Sequence, residues 1–487
     1  MVEDPNGSSE LLRARREKLE SLRAAGVEPF PWSYPGVEPI ASVRDAHAGL
    51  AAGEETEDQH RVAGRLAARR GQGKMAFLDV VDRSGRIQLQ ARADVLGPEA
   101  MARLLDCDLG DLIGVDGTAF SSRRGELTLR IDGYELLAKS LRPPPNKHHG
   151  LTDVETRFRH RELDLIANED VRELFLTRAT VISTIRRFLD AEGFVEVETP
   201  ILQPLYGGAS ARPFVTHHNA LDRDLYLRIA TELYLKRLLV GGLERVYEIG
   251  KNFRNEGVSH KHNPEFTVIE WYEAYSDYLV VADRLERLVA AVAQATGYEG
   301  EIPLTGPWHR ETLAGAILDR TQIDILALRD RDALAAEMRA HGMAVPETDS
   351  WPQLVDELLS KYVEPTLIEP TLLLDYPVEL SPLAKRHRSQ DGLVERFEAF
   401  IGGIEVANAF SELNDPDDQR RRFESQQRLA VAGDAEAQPY DEAFVQALEY
   451  GMPPAGGIGI GIDRLVMLMT GRRSIREVVL FPAMRDE

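Results

Sequence analysis

The sequence predicts an α+β protein in which a small β-barrel is followed by a larger antiparallel sheet flanked by helices. Five short β-rich runs, separated by glycine-containing turns, lie between residues 61 and 141. Beyond residue 150, strand patterns follow one another with only a loop between them, which favours antiparallel pairing over strand-helix-strand alternation. The 487 residues are enough for two to four domains of roughly 100 to 200 residues each.

The composition is that of a folded globular protein. Hydrophobic residues make up 43% of the chain, close to the roughly 45–50% of soluble proteins, so the chain can bury a large core. The single cysteine, Cys107, excludes an internal disulfide and a zinc site built from several thiolates. We expect a cytoplasmic protein with no membrane partner, because the first residues lack the apolar stretch of a signal peptide and no run of about 18 apolar residues occurs.

The first 60 residues form a predicted helical extension, in which Ser9 to Ala25 has the leucine and arginine spacing of an amphipathic basic helix. The predicted barrel covers 61–145. Between Arg61 and Arg92 it has eight basic and two acidic residues, a local charge of +6 in a chain whose formal charge is -22. A five-stranded barrel with a basic face is typical of the oligonucleotide-binding (OB) fold, so this segment is a candidate nucleic-acid interface. A solvated strand face without a partner is the alternative.

A proline-rich stretch at 140–150 (SLRPPPNKHHG) can continue neither a helix nor a central strand. We therefore place a domain boundary within it. The larger domain is predicted to cover 146–487, with a helix-rich insert at about 310–364.

The densest cluster of polar residues lies in the sequence FRNEGVSHKHNPEFT, where two strand-like runs flank a polar loop and predict a long hairpin. Residues two apart share a face of a strand. Arg254 and Glu256 therefore point one way on the first strand, and Phe266, Glu270 and Tyr272 share a face of the second. An arginine, an aromatic ring and two carboxylates on one face suit a ligand that carries both a phosphate and a cation. A surface hairpin with cross-strand ion pairs is the alternative.

A second cluster lies in FEAFIGGIEVANAFSELND. Asn408, Phe410 and Glu412 share one face of a predicted strand, which suits an extended side chain with an ammonium group because the carboxylate pairs with the charge and the ring contacts the stem. Glu398 and Glu405 are candidate magnesium ligands. Strict alternation places Glu405 on the face opposite Asn408, so their convergence requires a bulge or a strong twist that the sequence does not reveal.

The third cluster is the sequence GIGIGIDRL. Gly457, Gly459 and Gly461 alternate with isoleucines and leave one bare strand face, against which a flat ligand can lie. Asp463 begins a helix and Arg464 lies in its first turn, where the helix dipole disfavours a cation. We expect an anion to neutralise Arg464.

Together the three clusters resemble the signature motifs of the class II aminoacyl-tRNA synthetases, and within them the class IIb family of lysyl-tRNA synthetases. FLDAEGFVEVETPIL, which includes Pro200, resembles motif 1, FRNEG with HNPEFT resembles motif 2, and GIGIGIDRL resembles motif 3. GGIEVANAFSELNDP and ALEYGMPPAGG are similar to lysine-type signatures, and GRLAARRGQGKMAFLDVVDRSGRIQLQ to that family's anticodon-binding OB-fold. The resemblance covers nearly the whole chain.

The resemblance implies a role for each candidate residue. It implies catalysis by two arginines, Arg254 and Arg464. ATP is expected to contact Arg254, Glu256, His262, Asn263, Phe266 and Arg464. Lysine is expected to contact Gly208, Glu232, Glu270, Tyr272, Asn408, Phe410 and Glu412. Mg²⁺ is expected at Glu398 and Glu405, and the tRNA anticodon at Phe77, Arg69 and Gln88.

Three positions depart from the family pattern. Thr231 stands where the family usually has proline, Glu162 where tyrosine is common, and Gln90 where the barrel strand often carries an aromatic residue. The last departure affects only the expected contacts with the anticodon.

The reaction implied by the resemblance is ligation of lysine to tRNA(Lys). The lysine carboxylate attacks the α-phosphate of ATP, pyrophosphate leaves, and a hydroxyl at the 3′ end of the tRNA then takes the lysyl group. The implied partners are ATP, L-lysine and tRNA(Lys), and the motif 1 resemblance implies a homodimer.

Three other functions are considered beside this one. An aspartyl- or asparaginyl-type synthetase shares the architecture, but its amino-acid pocket needs cationic groups where Glu232, Glu270 and Glu412 are acidic. A paralogue that lysylates a protein typically lacks the barrel. A non-catalytic nucleic-acid-binding protein has no reason to keep Arg254 and Arg464 in ATP-binding positions.

Overall fold

A computed structural model of the chain describes residues 7–71, 73–145, 151–346, 350–431 and 437–485. The chain divides into two compact units, Met1–Arg172 and Glu173–Glu487. Residues 146–150 of the proline-rich stretch, where the domain boundary is predicted, lie outside the described residues. None of the described helices is long and apolar enough to cross a membrane.

The first unit contains a closed five-stranded barrel, as the sequence predicts. Its strands are β1 (Glu55–Arg70), β2 (Met75–Val81), β3 (Arg86–Arg92), β4 (Leu112–Ser121) and β5 (Leu127–Ala138). They neighbour one another in the order β1-β2-β3-β5-β4, and β4 pairs with β1 to close the barrel. Alternate side chains such as Leu78, Val80 and Leu89 are fully buried, so the period-two pattern of the sequence becomes the barrel core.

Among the residues that the structure describes, the helices lying wholly within this unit are α1 (Gly7–Ala24), α2 (Ile40–Ala46), α3 (Ala93–Leu96), α4 (Pro98–Asp106), α5 (Val154–Arg159) and α6 (Arg161–Ala167). Helix α1 agrees with the basic helix predicted from the leucine and arginine spacing. Its Arg15 is buried and donates hydrogen bonds to the carbonyls of Leu109 and Ser140 at 3.0 and 2.9 Å, which hold the helix against the barrel unit.

The second unit is built on an eight-stranded sheet. Its strands are β6 (Val195–Glu196), β10 (Arg245–Phe253), β11 (Glu265–Ala274), β12 (His309–Thr312), β13 (Thr371–Pro377), β14 (Leu393–Ile401), β15 (Ile404–Ser411) and β16 (Ala455–Gly461), in the order β12-β13-β14-β15-β16-β11-β10-β6. The six central strands pair antiparallel, and the two edge strands, β12 and β6, pair parallel to their neighbours. A separate three-stranded sheet has the order β7-β9-β8 and consists of β7 (Leu202–Gln203), β8 (Val215–His218) and β9 (Arg223–Leu227).

Helices cover the large sheet. They are α7 (Glu169–Ala191), α8 (Glu232–Val240), α9 (Tyr278–Thr296), α10 (Leu313–Thr321), α11 (Arg331–Ala340), α12 (Trp351–Leu358), α13 (Pro416–Val431), α14 (Glu442–Glu449), α15 (Ile462–Thr470) and α16 (Ile475–Val478). Local sequence fixes where several of them begin. Asp277, for example, accepts hydrogen bonds from the first backbone N–H groups of α9, and Gly297 ends that helix in a left-handed conformation.

One face of the large sheet is apolar and packs on helices α7, α9 and α15. Trp271, Ile458, Ile460 and Phe397 contribute to this core, and all are essentially fully buried. Since side chains alternate along a strand, the intervening residues of β11, β15 and β16 lie on the other face, where the polar residues are.

The helix-rich insert predicted at about 310–364 corresponds to α10, α11 and α12, followed by a π-helical segment (Leu359–Val363) and a 3-10 turn (Glu364–Thr366). These elements have a core of their own, which includes Ile317, Leu334 and Leu354. The insert therefore forms a compact subregion beside the polar face of the sheet.

Candidate active site

A cavity of about 570 Å³ lies against the polar face of the large sheet, lined by β11, β15, β16 and the loop after β10. Every residue expected to contact ATP, lysine or Mg²⁺ lines this cavity except Glu412. Glu412 is fully buried next to the lining residue Gly457, where a Cβ would collide with Glu412 Oε1 and with the ring of Tyr272. Gln353 and Asp356 of the insert complete the wall.

Arg254 follows β10 and projects into the cavity. Its guanidinium lies 5.1 Å from the centre of the Phe266 ring. Within the described part of the chain, no hydrogen bond or ion pair reaches the Arg254 side chain, and its Nε is buried. Burial lowers the pKa of Arg254, since a desolvated cation is destabilised. An unpaired, desolvated guanidinium is a binding site for an anion.

The loop between β10 and β11 holds three further residues of the predicted ATP site. Asn263 is buried, donates to the carbonyl of Glu265 and accepts from the backbone N–H of Ala483 at 3.2 Å, so it fixes the loop. His262 Nδ1 lies 3.0 Å from the Ser259 hydroxyl. Burial and the nearby Arg464 lower the pKa of His262, which favours the neutral ring. Glu256 is exposed at the cavity rim.

Arg464 lies in the first turn of α15, as predicted, and the anion beside it is Glu405. Arg464 donates to the Glu405 carboxylate at 2.9 Å and to the Glu405 carbonyl at 2.8 Å. Asp463 points elsewhere and accepts from the backbone N–H of Thr267 and from Arg178, at 2.7 and 2.6 Å. These hydrogen bonds fix the start of α15, and with it Arg464, against β11.

A bulge between β14 and β15 resolves the alternation problem at Glu405. Ala399 pairs with Ala407 and Phe400 pairs with Glu405, so Val406 is the extra residue. The extra residue rotates the strand, and Glu405 then faces the same cavity as Asn408 and Glu398. The sequence requires such a bulge but has no local signal for its position.

Glu398 is held by two residues that the sequence analysis does not identify. It accepts hydrogen bonds from Tyr376 at 2.9 Å and from Arg396 at 2.5 Å. Burial raises the pKa of Glu398 to about 7. Arg396 also donates to Asn408 Oδ1 at 3.1 Å, and its guanidinium lies 5.6 Å from the centre of the Phe410 ring. One arginine therefore orients three predicted site residues.

The donor set suits magnesium only in company with a phosphate ligand. The described residues contain no group of three or more histidine, cysteine, aspartate or glutamate side chains arranged to hold a metal ion. Glu398 and Glu405 nevertheless line the same cavity. Mg²⁺ is usually bound by one or two carboxylates together with substrate phosphates. Two carboxylates facing a cavity fit that pattern.

Three carboxylates, Glu232, Glu270 and Glu412, cluster around Tyr272. Glu270 accepts hydrogen bonds from the backbone N–H of Thr231 at 3.0 Å and from the Tyr272 hydroxyl at 3.1 Å. Burial raises the pKa of Glu270, and the Thr231 hydrogen bond opposes that rise. Glu232 and Glu412 also interact with the Tyr272 hydroxyl electrostatically, and burial together with these carboxylates raises the pKa of Tyr272.

Lys236, which the sequence analysis does not identify, lies within this cluster. Its side chain is fully buried, and its ammonium group contacts Glu232 at 2.7 Å and also Glu412. Glu232 and Lys236 are four residues apart on α8, a spacing that places them on one helix face. That spacing in ELYLK is the sequence signal that indicates the pair.

Gly208 lines the cavity beside Glu232. Its φ of +87° lies in the left-handed region, and a Cβ there would stand 2.9 Å from Ala230 Cβ and 3.0 Å from Glu232 Cβ. The position therefore accepts only glycine without a local shift.

The barrel brings two of the three predicted anticodon residues to one outer face. Phe77 pairs with Gln90, and Gln88 pairs with Asp79, between the inward-facing residues of β2 and β3. Arg69 instead donates to the carbonyls of Leu105 and Cys107, at the end of α4. Arg70, which pairs with Phe77 across β1 and β2, lies at this face, and Arg86 and Arg92 share the face with Gln88 on β3.

Two protein families match the chain in the regions that this geometry singles out. Residues 153–485 match the family described as tRNA synthetases class II (D, K and N). Residues 60–137 match the family described as OB-fold nucleic acid binding domain.

Curated relatives match over nearly the full length. A lysine–tRNA ligase of Roseiflexus castenholzii is 53% identical over 486 residues, covering 98% of this chain and 99% of its own. Lysine–tRNA ligases of Moorella thermoacetica and Carboxydothermus hydrogenoformans are 51% and 50% identical, each covering 98% of both chains.

Proposed function

The chain belongs to the class II tRNA synthetases of the D, K and N group, and we propose that within this group it is a lysine–tRNA ligase. It activates L-lysine with ATP and transfers the lysyl group to the 3′ end of tRNA(Lys). The observation that carries the proposal is the acidic cluster of Glu232, Glu270 and Glu412 in the site. An aspartate or asparagine side chain has no positive charge to offer it, whereas the lysine side chain ends in an ammonium group.

The charged residues of the cavity form two sets, and we assign one to each substrate. Arg254, which has no partner among the described residues, binds the α-phosphate of ATP and the carboxylate of lysine. Phe266 stacks on the adenine, while Glu256, His262, Asn263 and Arg464 surround the nucleotide. The bare face of Gly459 and Gly461 lets the adenine approach the strand, whereas at Gly457 the same face is covered by Glu412 and the Tyr272 ring.

The acidic set binds the amino acid. Glu232, with Gly208 beside it, takes the α-ammonium group, and Glu270 with Glu412 and Tyr272 takes the side-chain ammonium. Asn408 and Phe410 enclose the aliphatic part of the substrate's side chain between them. A neutral side chain of the same length leaves buried carboxylates unpaired, which is strongly unfavourable.

In the first step a carboxylate oxygen of lysine attacks the α-phosphorus of ATP, a new P–O bond forms, and the bond to pyrophosphate breaks. No side-chain nucleophile takes part. Arg254 neutralises charge that accumulates at the α-phosphate, and Arg464, released from Glu405, neutralises the leaving pyrophosphate. In the second step the ribose hydroxyl at the tRNA 3′ end attacks the lysyl carbonyl and AMP leaves.

Glu398 and Glu405 are the residues we assign to Mg²⁺. The ion supplies charge neutralisation to the phosphates when it is bound. The cavity-facing position of both carboxylates supports the assignment. Bound Mg²⁺ would also be a new partner for Glu405 when Arg464 turns from Glu405 to the nucleotide.

We further propose that the barrel binds the anticodon, through stacking on Phe77 and contacts to Gln88 and nearby arginines. The enzyme acts as a cytoplasmic homodimer. Exposed apolar side chains in the motif 1 region, Val195, Ile201 and Leu202, support a subunit interface there, because exposed apolar patches mark protein-protein contacts.

The experiment that tests the proposal is tRNA charging by the purified protein. Lysine with tRNA(Lys) should give acylated tRNA, and aspartate or asparagine with its own tRNA should not. Charging of tRNA(Asp) or tRNA(Asn) without charging of tRNA(Lys) would place the chain elsewhere in its family.

A further inference from the structure

Lys236 is a buried cation among the carboxylates of the acidic cluster. It lies in the second turn of α8, and its side chain is completely excluded from solvent. Its ammonium group contacts Glu232 at 2.7 Å, contacts Glu412, and donates to the carbonyl of Leu383 at 3.3 Å.

A buried lysine is rare unless it is paired, because desolvation of the charge is expensive. Here it is paired twice, within a site that already has a third carboxylate, Glu270. When all three carboxylates are ionised, the cluster with Lys236 has a net charge of −2. The lysine substrate of the proposed function brings two ammonium groups, so the occupied cluster is neutral. Without Lys236 the same cluster keeps an unmatched negative charge.

The contacts of Glu412 show how Lys236 acts on the substrate site. The Lys236 ammonium contacts Oε2 of Glu412. No described residue donates a hydrogen bond to either Glu412 oxygen, although both atoms are buried. Oε1 lies against the bare position of Gly457 and beside the Tyr272 ring, and both of those residues line the cavity. Oε2 is therefore held by its ion pair with Lys236, and Oε1 lies next to the cavity lining without a partner among the described residues.

Lys236 also opposes protonation of Glu412. Burial raises the pKa of the Glu412 carboxyl, and the Lys236 ammonium acts in the opposite direction. A protonated Glu412 has no net charge with which to attract a substrate ammonium.

We propose that Lys236 is a positioning residue for substrate selection: it bridges Glu232 and Glu412, matches the charge of the site to two substrate ammonium groups, and presents Glu412 Oε1 to the amino-acid side chain. This inference rests on the proposed function. It predicts that Lys236 affects recognition of the amino acid and does so through Glu412, while the nucleotide set is unaffected.

The test uses lysine-dependent exchange of pyrophosphate into ATP by the full-length Lys236→Met protein. We expect the KM for lysine to rise about tenfold or more, with the KM for ATP within about twofold of the wild type. The matched control is Lys139→Met. Lys139 is also buried and bridges two carboxylates, Asp108 and Asp111, but it lies in the barrel unit, so we expect both KM values to be unchanged.

A double-mutant cycle separates positioning from a general loss of structure. In a Glu412→Gln background, Lys236→Met should change the KM for lysine by less than about threefold, because its target is already gone. Circular dichroism shows whether Lys236→Met folds. If it does not, we compare the KM for lysine of the double variant Lys236→Met/Glu232→Gln, which removes one charge of each sign, with that of Glu232→Gln. The expected rise is again about tenfold.

A KM for lysine within about twofold of the wild type in folded Lys236→Met, or an equal rise in the KM for ATP, overturns the inference. The inference is also overturned if Lys236→Met raises the KM for lysine as much in the Glu412→Gln background as it does in the wild type. These outcomes leave the proposed function intact, provided that the wild type exchanges pyrophosphate with lysine. If the wild type exchanges pyrophosphate with aspartate and not with lysine, both the inference about Lys236 and the proposed function are overturned.

Discussion

Thr231 shows how a single departure from the family pattern alters a binding site. Its backbone N–H donates to Glu270 Oε1 at 3.0 Å. Proline, which the resemblance leads us to expect at this position, has no N–H to donate. The hydrogen bond stabilises the ionised carboxylate, whose pKa burial raises. In this chain Glu270 therefore has a donor that a proline at the same position cannot supply.

Thr231→Pro removes that donor, and we expect the KM for lysine in pyrophosphate exchange to rise about two- to tenfold, the equivalent of one hydrogen bond. The backbone at Thr231 has φ of −98°, close enough to the range of proline for the fold to be kept. Thr231→Ala is the matched control, since it removes only the side chain and keeps the N–H. Equal effects of the two substitutions would show that the hydrogen bond is unimportant.

Arg254→Ala removes the one guanidinium that has no partner among the described residues of the site. We expect lysyl-adenylate formation to be lost, because this group is assigned to both reacting partners. Arg254→Lys should recover only part of the activity, since an ammonium group cannot bind two oxygens in a planar fork. Retention of more than about a tenth of kcat/KM in Arg254→Ala, a loss under about 1.4 kcal/mol, contradicts the assignment.

At the scale of the element, β16 brings its bare glycine face against buried carboxylates. A Cβ at Gly457 would collide with Glu412 Oε1 and the Tyr272 ring, whereas a Cβ at Gly459 would meet Glu270 Cγ at 3.6 Å, an ordinary contact. Gly457 and Gly459 lie on the same face of β16 but have different neighbours, because only Gly457 lies against the Glu412 carboxylate.

Gly457→Ala should lower the free energy of unfolding by about 1–3 kcal/mol, as overpacking in a buried site does. Gly459→Ala should leave it within about 0.5 kcal/mol or raise it slightly, because alanine is favoured over glycine in regular structure. Urea unfolding of both variants measures the difference. A loss as large at Gly459 as at Gly457 would mean that the floor of the cavity is packed differently.

The elements also show where sequence patterns stop being informative. Alternation correctly grouped Phe266, Glu270 and Tyr272 on one face of β11. It placed Glu405 on the wrong face of β15, because a bulge at Val406 is set by pairing with β14 and not by any local residue preference. The separate strand β14 was not predicted, and Arg396, which orients Glu398 and Asn408, was missed with it.

Other residues depend on contacts between distant parts of the chain. The sequence predicts an anion opposite Arg464 but cannot name Glu405, which reaches it from another strand. Lys236 contacts Glu232 within its own helix, so spacing could have indicated that pair. Its contact with Glu412 exists only after the chain folds.

Across the whole molecule, the sequence predicts the two-part architecture well, because each part has its own pattern of strands and turns. Short alternating runs with glycine turns predict the barrel, and adjacent strand patterns predict the antiparallel centre of the sheet. The parallel pairing of the edge strands β12 and β6 was not predicted. β12 itself is only four residues long, which is too short for a recognisable pattern.

The two units allow anticodon binding and amino-acid activation to be measured separately. If Phe77 stacks on an unpaired base, Phe77→Ala should weaken tRNA(Lys) charging by raising the KM for tRNA. The expected loss of binding free energy is about 1–3 kcal/mol. Lysine-dependent pyrophosphate exchange, which needs no tRNA, should be unaffected. Val95→Ala, at another exposed apolar residue of the barrel unit, is the control for surface changes. Equal losses in charging and exchange would remove the assigned role of Phe77.

We expect the acidic cluster to select an amino acid by the charge at the end of its side chain. The most direct measurement is pyrophosphate exchange by the wild-type protein with lysine and with norleucine, which has the same carbon chain without the ammonium group. We expect kcat/KM for lysine to exceed that for norleucine by more than about a hundredfold, because norleucine leaves buried carboxylates unpaired. A ratio below about tenfold would contradict the claim, since the buried carboxylates would then contribute little to selection.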